Sequence, residues 1–288
     1  MGRRAEKMTQ WAVPIRVFLL TAMAVHLAWA ADRPLRIWIL PFQHSQADSS
    51  LDYLEEALPA LLTVAVSRSD AYVVVERQRL NQVLAEQSLT LEGLTSPDTR
   101  HRIGRLLGAT VMITGSFVQQ GQDLLITMRA SDLETGIVTA AAEARGPTDA
   151  PGQLVGTLYR RLAGGLDRRL PDLGPDQIDP APLSNLHFMK GLGHYHSARY
   201  SQALAEFMLA AGDERLSDIS RLWLANAYLA QLQYSHAYLE LSRLMRAGSK
   251  SLPENEIAAK MRVCEKYLSP GDVKMVLDLA VRQAPAKE

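Results

Sequence analysis

The sequence predicts an α/β domain, with a mixed sheet and flanking helices, followed by an all-α domain of helical repeats. Three observations favour this arrangement: strand and helix patterns alternate over residues 31–170, proline and aspartate are concentrated in residues 171–183, and a 34-residue repeat follows within residues 184–288. Alternating strands and helices are typical of a sheet covered by helices. A Pro-rich segment between two such regions is typical of a linker.

The composition is that of a folded globular protein. Of the 288 residues, 47% are hydrophobic and 22% are charged, which excludes a wholly disordered or collagen-like chain. Lys and Arg (31) balance Asp and Glu (31), so no excess of basic residues indicates nucleic acid binding. Cys264 is the single cysteine, which excludes an intrachain disulfide and a Cys-rich zinc site.

The first 30 residues have the features of a secretory signal peptide. Basic residues precede an apolar run over residues 17–27, and Ala28-Trp29-Ala30 places small residues before a cleavage site at Ala31. We therefore expect residues 1–30 to be removed and the product to be periplasmic, with outer-membrane association as a further option. With no cysteine near Ala31, we expect neither a lipid anchor nor a transmembrane segment in the mature chain. The alternative is an uncleaved N-terminal anchor.

Residues 31–170 predict the element order β-α-β-α-α, then three consecutive strands and a last helix. The strands follow from apolar and β-branched runs ended by turn residues, and they cover residues 35–40, 71–75, 110–118, 124–129 and 137–144. The helices follow from apolar residues at three- and four-residue steps, and they cover residues 51–65, 79–87, 97–107 and 154–170. Pro59 lies inside the first helical stripe, so we expect a kink or a late start there.

Several short motifs of this region form a set with a defined order and spacing. They are Leu40-Pro41-Phe42, Val75-Glu76-Arg77, the segment 104–109 (GRLLGA), Thr114-Gly115-Ser116, and the turn with Asp132, Thr135 and Gly136. In this order they resemble the CsgG-like family of curli-secretion proteins. The resemblance implies a mixed α/β fold and a role in envelope assembly or export. CsgG itself is a lipoprotein that forms a pore from long inserted hairpins, whereas the turn at residues 119–123 here is too short for such an insertion.

Beyond the linker the sequence repeats itself. The two copies share a tyrosine, an alanine and a large apolar residue, and they read Tyr200-x-x-Ala203-x-x-x-Phe207 and Tyr234-x-x-Ala237-x-x-x-Leu241. Their offset of 34 residues is the period of the tetratricopeptide repeat, a pair of antiparallel helices. Such arrays normally need at least three units, so helices over residues 254–268 and 272–283 are expected as a degenerate third repeat or a C-terminal cap.

The repeats predict a surface for a protein partner. Arrays of this type bind other chains along the concave groove lined by the first helix of each pair. The candidate groove residues are Asn185, Tyr195, His196 and Asn226. The expected partners are proteins of the bacterial envelope, and the α/β domain would also allow self-association. The alternative is that the repeats only cap the first domain.

No familiar catalytic or cofactor motif is present, including the P-loop, the G-x-S-x-G elbow, H-E-x-x-H and C-x-x-C. We therefore predict a non-enzymatic adaptor or scaffold without a cofactor. Cys264 is interpreted as a buried structural cysteine. His187 and His194 share a helical face, and packing rather than metal binding is the favoured interpretation.

Two alternatives stay open, namely a solute- or cell-wall-sensing accessory protein and a cell-wall hydrolase. A hydrolase needs two carboxylates facing one cleft. The densest acidic set is Asp48, Asp52, Glu55 and Glu56. We interpret this set as a solvated first turn of a helix, where acidic side chains complement the helix dipole.

Overall fold

The computed structural model describes residues 35–46, 49–67, 72–90, 93–94, 96–165, 180–248 and 252–282. The predicted signal peptide, Asp48 and residues 171–179 of the predicted linker lie outside the described residues. The strands of the first part are β1 (Leu35–Ile39), β2 (Gln43–His44), β3 (Tyr72–Val74), β4 (Val111–Gln120), β5 (Asp123–Asp132) and β6 (Val138–Pro147). Its helices are α1 (Leu54–Ser67), α2 (Arg77–Glu86), α3 (Pro97–Leu106) and α4 (Pro151–Gly165).

These strands form one mixed sheet, as the sequence predicts. Their order is β3-β1-β4-β5-β6, with the short β2 also paired to β4 beyond the end of β1. The strands β3, β1 and β4 are parallel, whereas β4, β5 and β6 form an antiparallel meander. The two meander turns contain Gly121 and Gly136 with φ of 67° and 73°, a left-handed conformation that glycine adopts without strain.

The sheet is covered on both faces near β1. Ile37 belongs to the core formed with α1 and α4, whereas the next residue, Trp38, belongs to a second core formed with α2 and α3. Because successive side chains of a strand point to opposite faces, these two helix pairs lie on opposite sides of the sheet. Further along, the second face of β5 and β6 carries exposed polar residues such as Arg129, Glu143 and Arg145.

Helix α1 continues through Pro59 and begins at Leu54, three residues after the start of the apolar stripe. Proline has no backbone N–H, so the carbonyl of Glu55 loses its partner within the helix. That carbonyl instead accepts a hydrogen bond from the backbone N–H of Phe42, at 2.8 Å. The proline therefore lets the connection between β1 and β2 attach to the first turn of α1.

The second part is helical. Its helices are α5 (Pro180–Ser184), α6 (Leu186–His196), α7 (Tyr200–Ala210), α8 (Ser217–Ala230), α9 (Tyr234–Ala247), α10 (Glu254–Glu265) and α11 (Pro270–Arg282). No helix of the part that the structure describes is both long and apolar enough to cross a membrane.

The helix pairs α6–α7 and α8–α9 have equivalent turns. Ala198 and Leu232, 34 residues apart, both adopt left-handed backbone conformations, with φ of 58° and 60°. The residue that follows each of them donates its N–H to a carbonyl five residues earlier at 2.8 Å, from Arg199 to His194 and from Gln233 to Tyr228. The helical region is therefore consistent with the predicted repeat.

The third pair departs from this period. Helices α10 and α11 lie where the sequence predicts helices, but α11 begins at Pro270, 36 residues after the start of α9 at Tyr234, whereas α7 and α9 begin 34 residues apart. Helix α11 begins directly at Pro270, where a proline fits the first turn of a helix. The last pair is therefore a helical hairpin out of register with the first two.

The helical region packs against the α/β part through α6 and α1. A Cβ atom on Gly193 would lie only 2.2 Å from the carbonyl oxygen of Tyr53, so this glycine allows close approach. Lys190 Nζ lies 6.0 Å from the centroid of the Tyr53 ring. Residues of both parts share one hydrophobic core, while residues 180–183 of the predicted linker belong to α5. The division into separate folding units stays a prediction.

Candidate functional site

Two of the predicted groove residues lie in an aromatic cluster at the C-terminal end of α6. Tyr195 contacts Tyr200 and Trp223 edge to face, with centroid distances of 5.5 and 5.1 Å. His196 contacts Trp223 in the same way at 5.6 Å. We name Tyr195, His196, Tyr200 and Trp223 the aromatic cluster. All four side chains are half-buried, and burial raises the pKa of Tyr195 above its ordinary value.

The other two predicted groove residues occupy different places. Asn226 is half-buried on α8, one turn after Trp223 and therefore on the same side of that helix. Asn185 lies at the opposite end of α6, about 15 Å from Tyr195 at 1.5 Å per helical residue. Its side-chain oxygen accepts the N–H of Phe188 at 2.9 Å, which makes Asn185 the N-cap of α6. Tyr195 and His196 thus belong to the aromatic cluster and Asn226 lies beside it on α8, whereas Asn185 lies at the other end of α6.

Sequence reasoning missed Trp223 as a member of this site. Its ring joins the cluster to the core below, because it also stacks on Phe207 at 5.9 Å. The spacing of Trp223 and Asn226, three residues apart on α8, was the available signal. Tyr200, the tyrosine shared by the two repeat copies, also contacts Tyr195 in the cluster.

A second candidate site is a cleft of about 690 Å³ in the α/β part. It lies between β4 and β5, the connection of residues 40–43 that follows β1, and the first turn of α3. We name this cavity the cleft. Sequence reasoning could not find it, because its walls come from segments far apart in the chain and no single motif contains them.

The acidic set predicted near α1 is divided between this cleft and its border. The Asp52 carboxylate lies 3.1 Å from Nδ1 of His44, and Glu55 Oε1 accepts the backbone N–H of His44 at 3.1 Å. Glu55 and Glu56 are half-buried and line the cleft. Glu55 and Glu56 lie in the first turn of α1, as predicted, but they are half-buried rather than fully solvated because the connection after β1 packs beside them.

Comparison with protein families finds a match for one segment of the α/β part. Residues 38–124 match the family described as "Curli production assembly/transport component CsgG". This segment is a CsgG-like domain. No curated protein sequence matches the chain at a significant level.

Several solved structures are similar to the CsgG-like domain at low identity. The C-terminal domain of LpoB from Salmonella enterica is 14% identical, covers 40% of this chain and 83% of its own, and has a TM-score of 0.33. Lipoprotein GNA1162 from Neisseria meningitidis is 14% identical, with coverage of 46% and 99% and a TM-score of 0.35. The PelC dodecamer from Paraburkholderia phytofirmans is 10% identical, with coverage of 46% and 89% and a TM-score of 0.31. TM-scores below 0.5 carry no argument about this chain, so the name CsgG-like domain rests on the family match over residues 38–124.

Three of the five motifs that carry the resemblance to this family lie at the cleft, whereas Val75-Glu76-Arg77 and the segment 104–109 do not line it. Leu40-Pro41-Phe42 forms one wall, Thr114-Gly115-Ser116 belongs to the sheet beneath it, and Gly136 lies at its far end. The Asp132 side chain holds the turn before Gly136, accepting hydrogen bonds from the N–H groups of Glu134 and Thr135 at 2.9 and 2.7 Å. The hydrogen bond from the Thr135 N–H is the main cause that lowers the pKa of Asp132.

His187 and His194 of α6 have different surroundings, since His187 is exposed and His194 is half-buried. His187 Nδ1 lies 2.7 Å from Glu206 Oε2, whereas Nδ1 of His194 is buried without a hydrogen-bond partner in the described part of the chain. Desolvation, together with the charge of Arg199, lowers the pKa of His194 and keeps its ring neutral at pH 7. Within the described ranges, no three His, Cys, Asp or Glu side chains are grouped closely enough to hold a metal ion.

Cys264 is fully buried, as predicted. Desolvation raises the pKa of its thiol to about 11, so the thiol is protonated at neutral pH. Because the thiolate is the nucleophilic form, this environment suits a packing role.

Proposed function

We propose that this protein is an envelope-associated accessory or scaffold protein in which the helical groove binds a protein partner. The CsgG-like domain supports a role in envelope assembly or transport, since the matching family is described as a curli assembly and transport component. The chain acts by binding rather than by catalysis. Its helical region supplies the recognition surface, and the CsgG-like domain holds that region in place.

The aromatic cluster is the observation that carries this proposal. Aromatic side chains bury a large area at a low cost in conformational entropy, and they are enriched where proteins bind other proteins. Each ring of the cluster is partly exposed and is held by edge-to-face contacts with its neighbours. A rigid, half-exposed group of rings at one end of a helical groove is suited to anchor an extended or helical segment of a partner.

Capture of partners from an envelope extract tests the groove. Tyr195→Ala combined with His196→Ala removes two rings from the cluster and leaves Trp223 in its packed position. His236→Ala is the matched control, since His236 is exposed on α9 and its ring contacts Tyr228 rather than the aromatic cluster. We expect the wild type and the control to recover the same envelope proteins, and the double variant to lose them. Equal capture by all three chains would show that the groove is not the binding surface.

We further propose that the mature chain begins at Ala31 and resides in the periplasm, free or at the outer membrane. Mass spectrometry of the protein isolated from cells should give an N-terminus at Ala31. Recovery of the leader residues in an inner-membrane fraction would contradict this location. Self-association through the CsgG-like domain is part of the same proposal, and sedimentation of the mature chain measures it.

A further inference from the structure

The cleft has a floor of polar side chains from two neighbouring strands. Thr114 and Ser116 project from β4, and Thr127, Arg129 and Ser131 project from the same face of β5. Thr114 is the register partner of Arg129, and Ser116 is the partner of Thr127. The two hydroxyl oxygens of Ser116 and Thr127 are 2.9 Å apart. A sheet face of this kind, with hydroxyl groups around an arginine, offers hydrogen-bond donors to a small ligand.

One end of the cleft is basic. Arg100 and His101 line it from the first turn of α3, which is capped by Ser96. The His101 ring packs over the backbone of Gly136, where a Cβ atom would lie 2.9 Å from Cε1. The N-terminal end of a helix also carries a partial positive charge. Arg100, His101 and the N-terminal end of α3 therefore all lie at this end of the cleft.

The arginines of the cleft have no acidic partner among the described residues. Neither Arg100 nor Arg129 forms an ion pair there, and Nε of Arg100 is buried without a hydrogen-bond partner. A buried donor of a charged group costs free energy when it stays unpaired. Exposed arginines elsewhere in this chain do form pairs, for example Arg145 with Asp123 at 2.8 Å. The guanidinium charges of half-buried Arg100 and exposed Arg129 are therefore not neutralised by a carboxylate of the described residues.

The other end of the cleft is acidic. Glu55 and Glu56 lie beside the connection after β1, near Ser116, whereas the basic end lies near Ser131. The strand positions of Ser131 and Thr127 are four residues apart, which is about 13 Å along β5. Glu55 already accepts a hydrogen bond from the backbone N–H of His44. Its carboxylate therefore has a partner within the chain, and its negative charge disfavours an anion at this end. The opposite charges therefore orient any anionic ligand with its charge toward the arginines.

From this arrangement we infer that the cleft is a binding site for a small ligand that carries an oxyanion, either a carboxylate or a phosphate. The guanidinium groups of Arg100 and Arg129 hold the oxyanion, because a planar guanidinium can donate two parallel hydrogen bonds to it. The hydroxyls of Thr114 and Ser131 complete the contacts. A volume of about 690 Å³ is in the range of small-molecule sites and excludes a folded partner.

Titration of the ¹⁵N-labelled full chain with inorganic phosphate, and separately with acetate, tests the site by NMR. The amides of Gly115 and Gly136, which line the cleft, should shift with saturation, while that of Gly121 should not. Sodium chloride at matched ionic strength is the control for screening. Tighter binding of phosphate would support a phosphoryl ligand, and tighter binding of acetate a carboxylate ligand.

The variants Arg100→Gln and Arg129→Gln should each weaken binding by about tenfold or more, as expected for loss of a charged hydrogen bond. Arg129 is exposed on the sheet, so its variant tests the site even if Arg100→Gln fails to fold. Arg102 is an exposed arginine of α3 that does not line the cleft, so the Arg102→Gln variant should bind as the wild type does. Shifts that chloride reproduces, or that survive in Arg129→Gln, would overturn the inference. The groove variants should leave this titration unchanged, so the two proposals fail independently.

Discussion

The two ends of the helical region differ in what covers them. At the first end, α6 packs against α1, and Phe188 and Met189 are buried in the same core as the sheet. At the last end, α11 buries Val276 but leaves Met275 and Val281 55% and 52% exposed. The apolar face of an amphipathic helix is buried only where another element packs against it, so this face of α11 has no such neighbour among the described residues.

This difference shows what the CsgG-like domain does for the helices. In a repeat array, each unit buries its surface against the preceding unit, and the terminal units need a cap. Helix α1 occupies the place of a preceding helix for α6, with Gly193 allowing the close contact at Tyr53. The CsgG-like domain therefore covers the first end of the helical region, whereas α11 is the last helix at the other end among the described residues.

The largest expected difference between the two ends concerns their core residues. Phe207 is fully buried between Gly191, Phe188 and Trp223, so Phe207→Ala should cost about 3–5 kcal/mol of unfolding free energy. Val276→Ala on α11 removes less volume from a less enclosed site, and about 1–2 kcal/mol is expected. Urea denaturation measures both. Equal costs would mean that the last hairpin is as tightly packed as the first.

A pair of glycine substitutions sharpens the same comparison. Gly193→Ala places a Cβ against backbone atoms of Tyr53 and should cost about 1–3 kcal/mol through overpacking. For Gly271→Ala at the start of α11, the nearest atom would be Ser269 Oγ at an ordinary 3.7 Å. That variant should be neutral or gain up to about 1 kcal/mol from helix propensity. If thermal unfolding shows no loss for Gly193→Ala, the contact between α1 and α6 is loose.

Limited proteolysis tests the predicted linker against the shared core. We expect the first cut within residues 171–183, since this segment is rich in proline and aspartate. Because α6 shares a core with α1, the two fragments should remain associated and elute together on size exclusion. Separation of the fragments without denaturant would show that α1 and α6 are only weakly associated. First cuts within residues 35–145 would contradict the prediction of an exposed linker.

The smallest difference is in how the helices are capped. Asp272 accepts hydrogen bonds from the hydroxyl and the N–H of Ser269, at 2.7 and 3.1 Å, and these lower the pKa of its carboxyl. The stabilisation is therefore present above the unfolded pKa of about 3.9 and is lost as the pH falls through the lower folded value. The cap of α6, Asn185, does not titrate.

Amide exchange protection between pH 6 and pH 3 measures this difference. Protection of the first turn of α11 should fall with pH in the wild type, whereas the Asp272→Asn variant should show a smaller fall. Protection of the first turn of α6 serves as the internal reference. An equal pH dependence at both helices would exclude the Asp272 carboxylate as its cause.

Local signals were enough to predict most elements. Ser96 accepts the N–H of Thr99 at 3.1 Å and caps α3 directly before Pro97, as the sequence indicates. Gly121 and Gly136 lie in the expected turns, and the 34-residue offset reappears in the backbone angles of Ala198 and Leu232. These features depend on a few neighbouring residues, so a single sequence contains the information.

Features that depend on distant contacts were not predictable. Strand β2 has two residues, and pairing with β4 rather than its own composition defines it. Pro180 begins α5, because proline fits a first helical turn as well as a linker. The cleft and the aromatic cluster both arise where helices and strands separated in the chain meet. Arg100 has no neighbouring motif that would have indicated a ligand site, and the local signal for Trp223 was its three-residue spacing from Asn226.

The start of α1 contacts both the wall of the cleft and the helical region. The carbonyl of Glu55 holds the N–H of Phe42, at the wall of the cleft, because Pro59 leaves that carbonyl without a helical partner. Two residues earlier, the backbone of Tyr53 meets Gly193 of α6. A ligand that displaced Phe42 would therefore disturb the peptide groups next to Tyr53, which contacts Gly193 of α6.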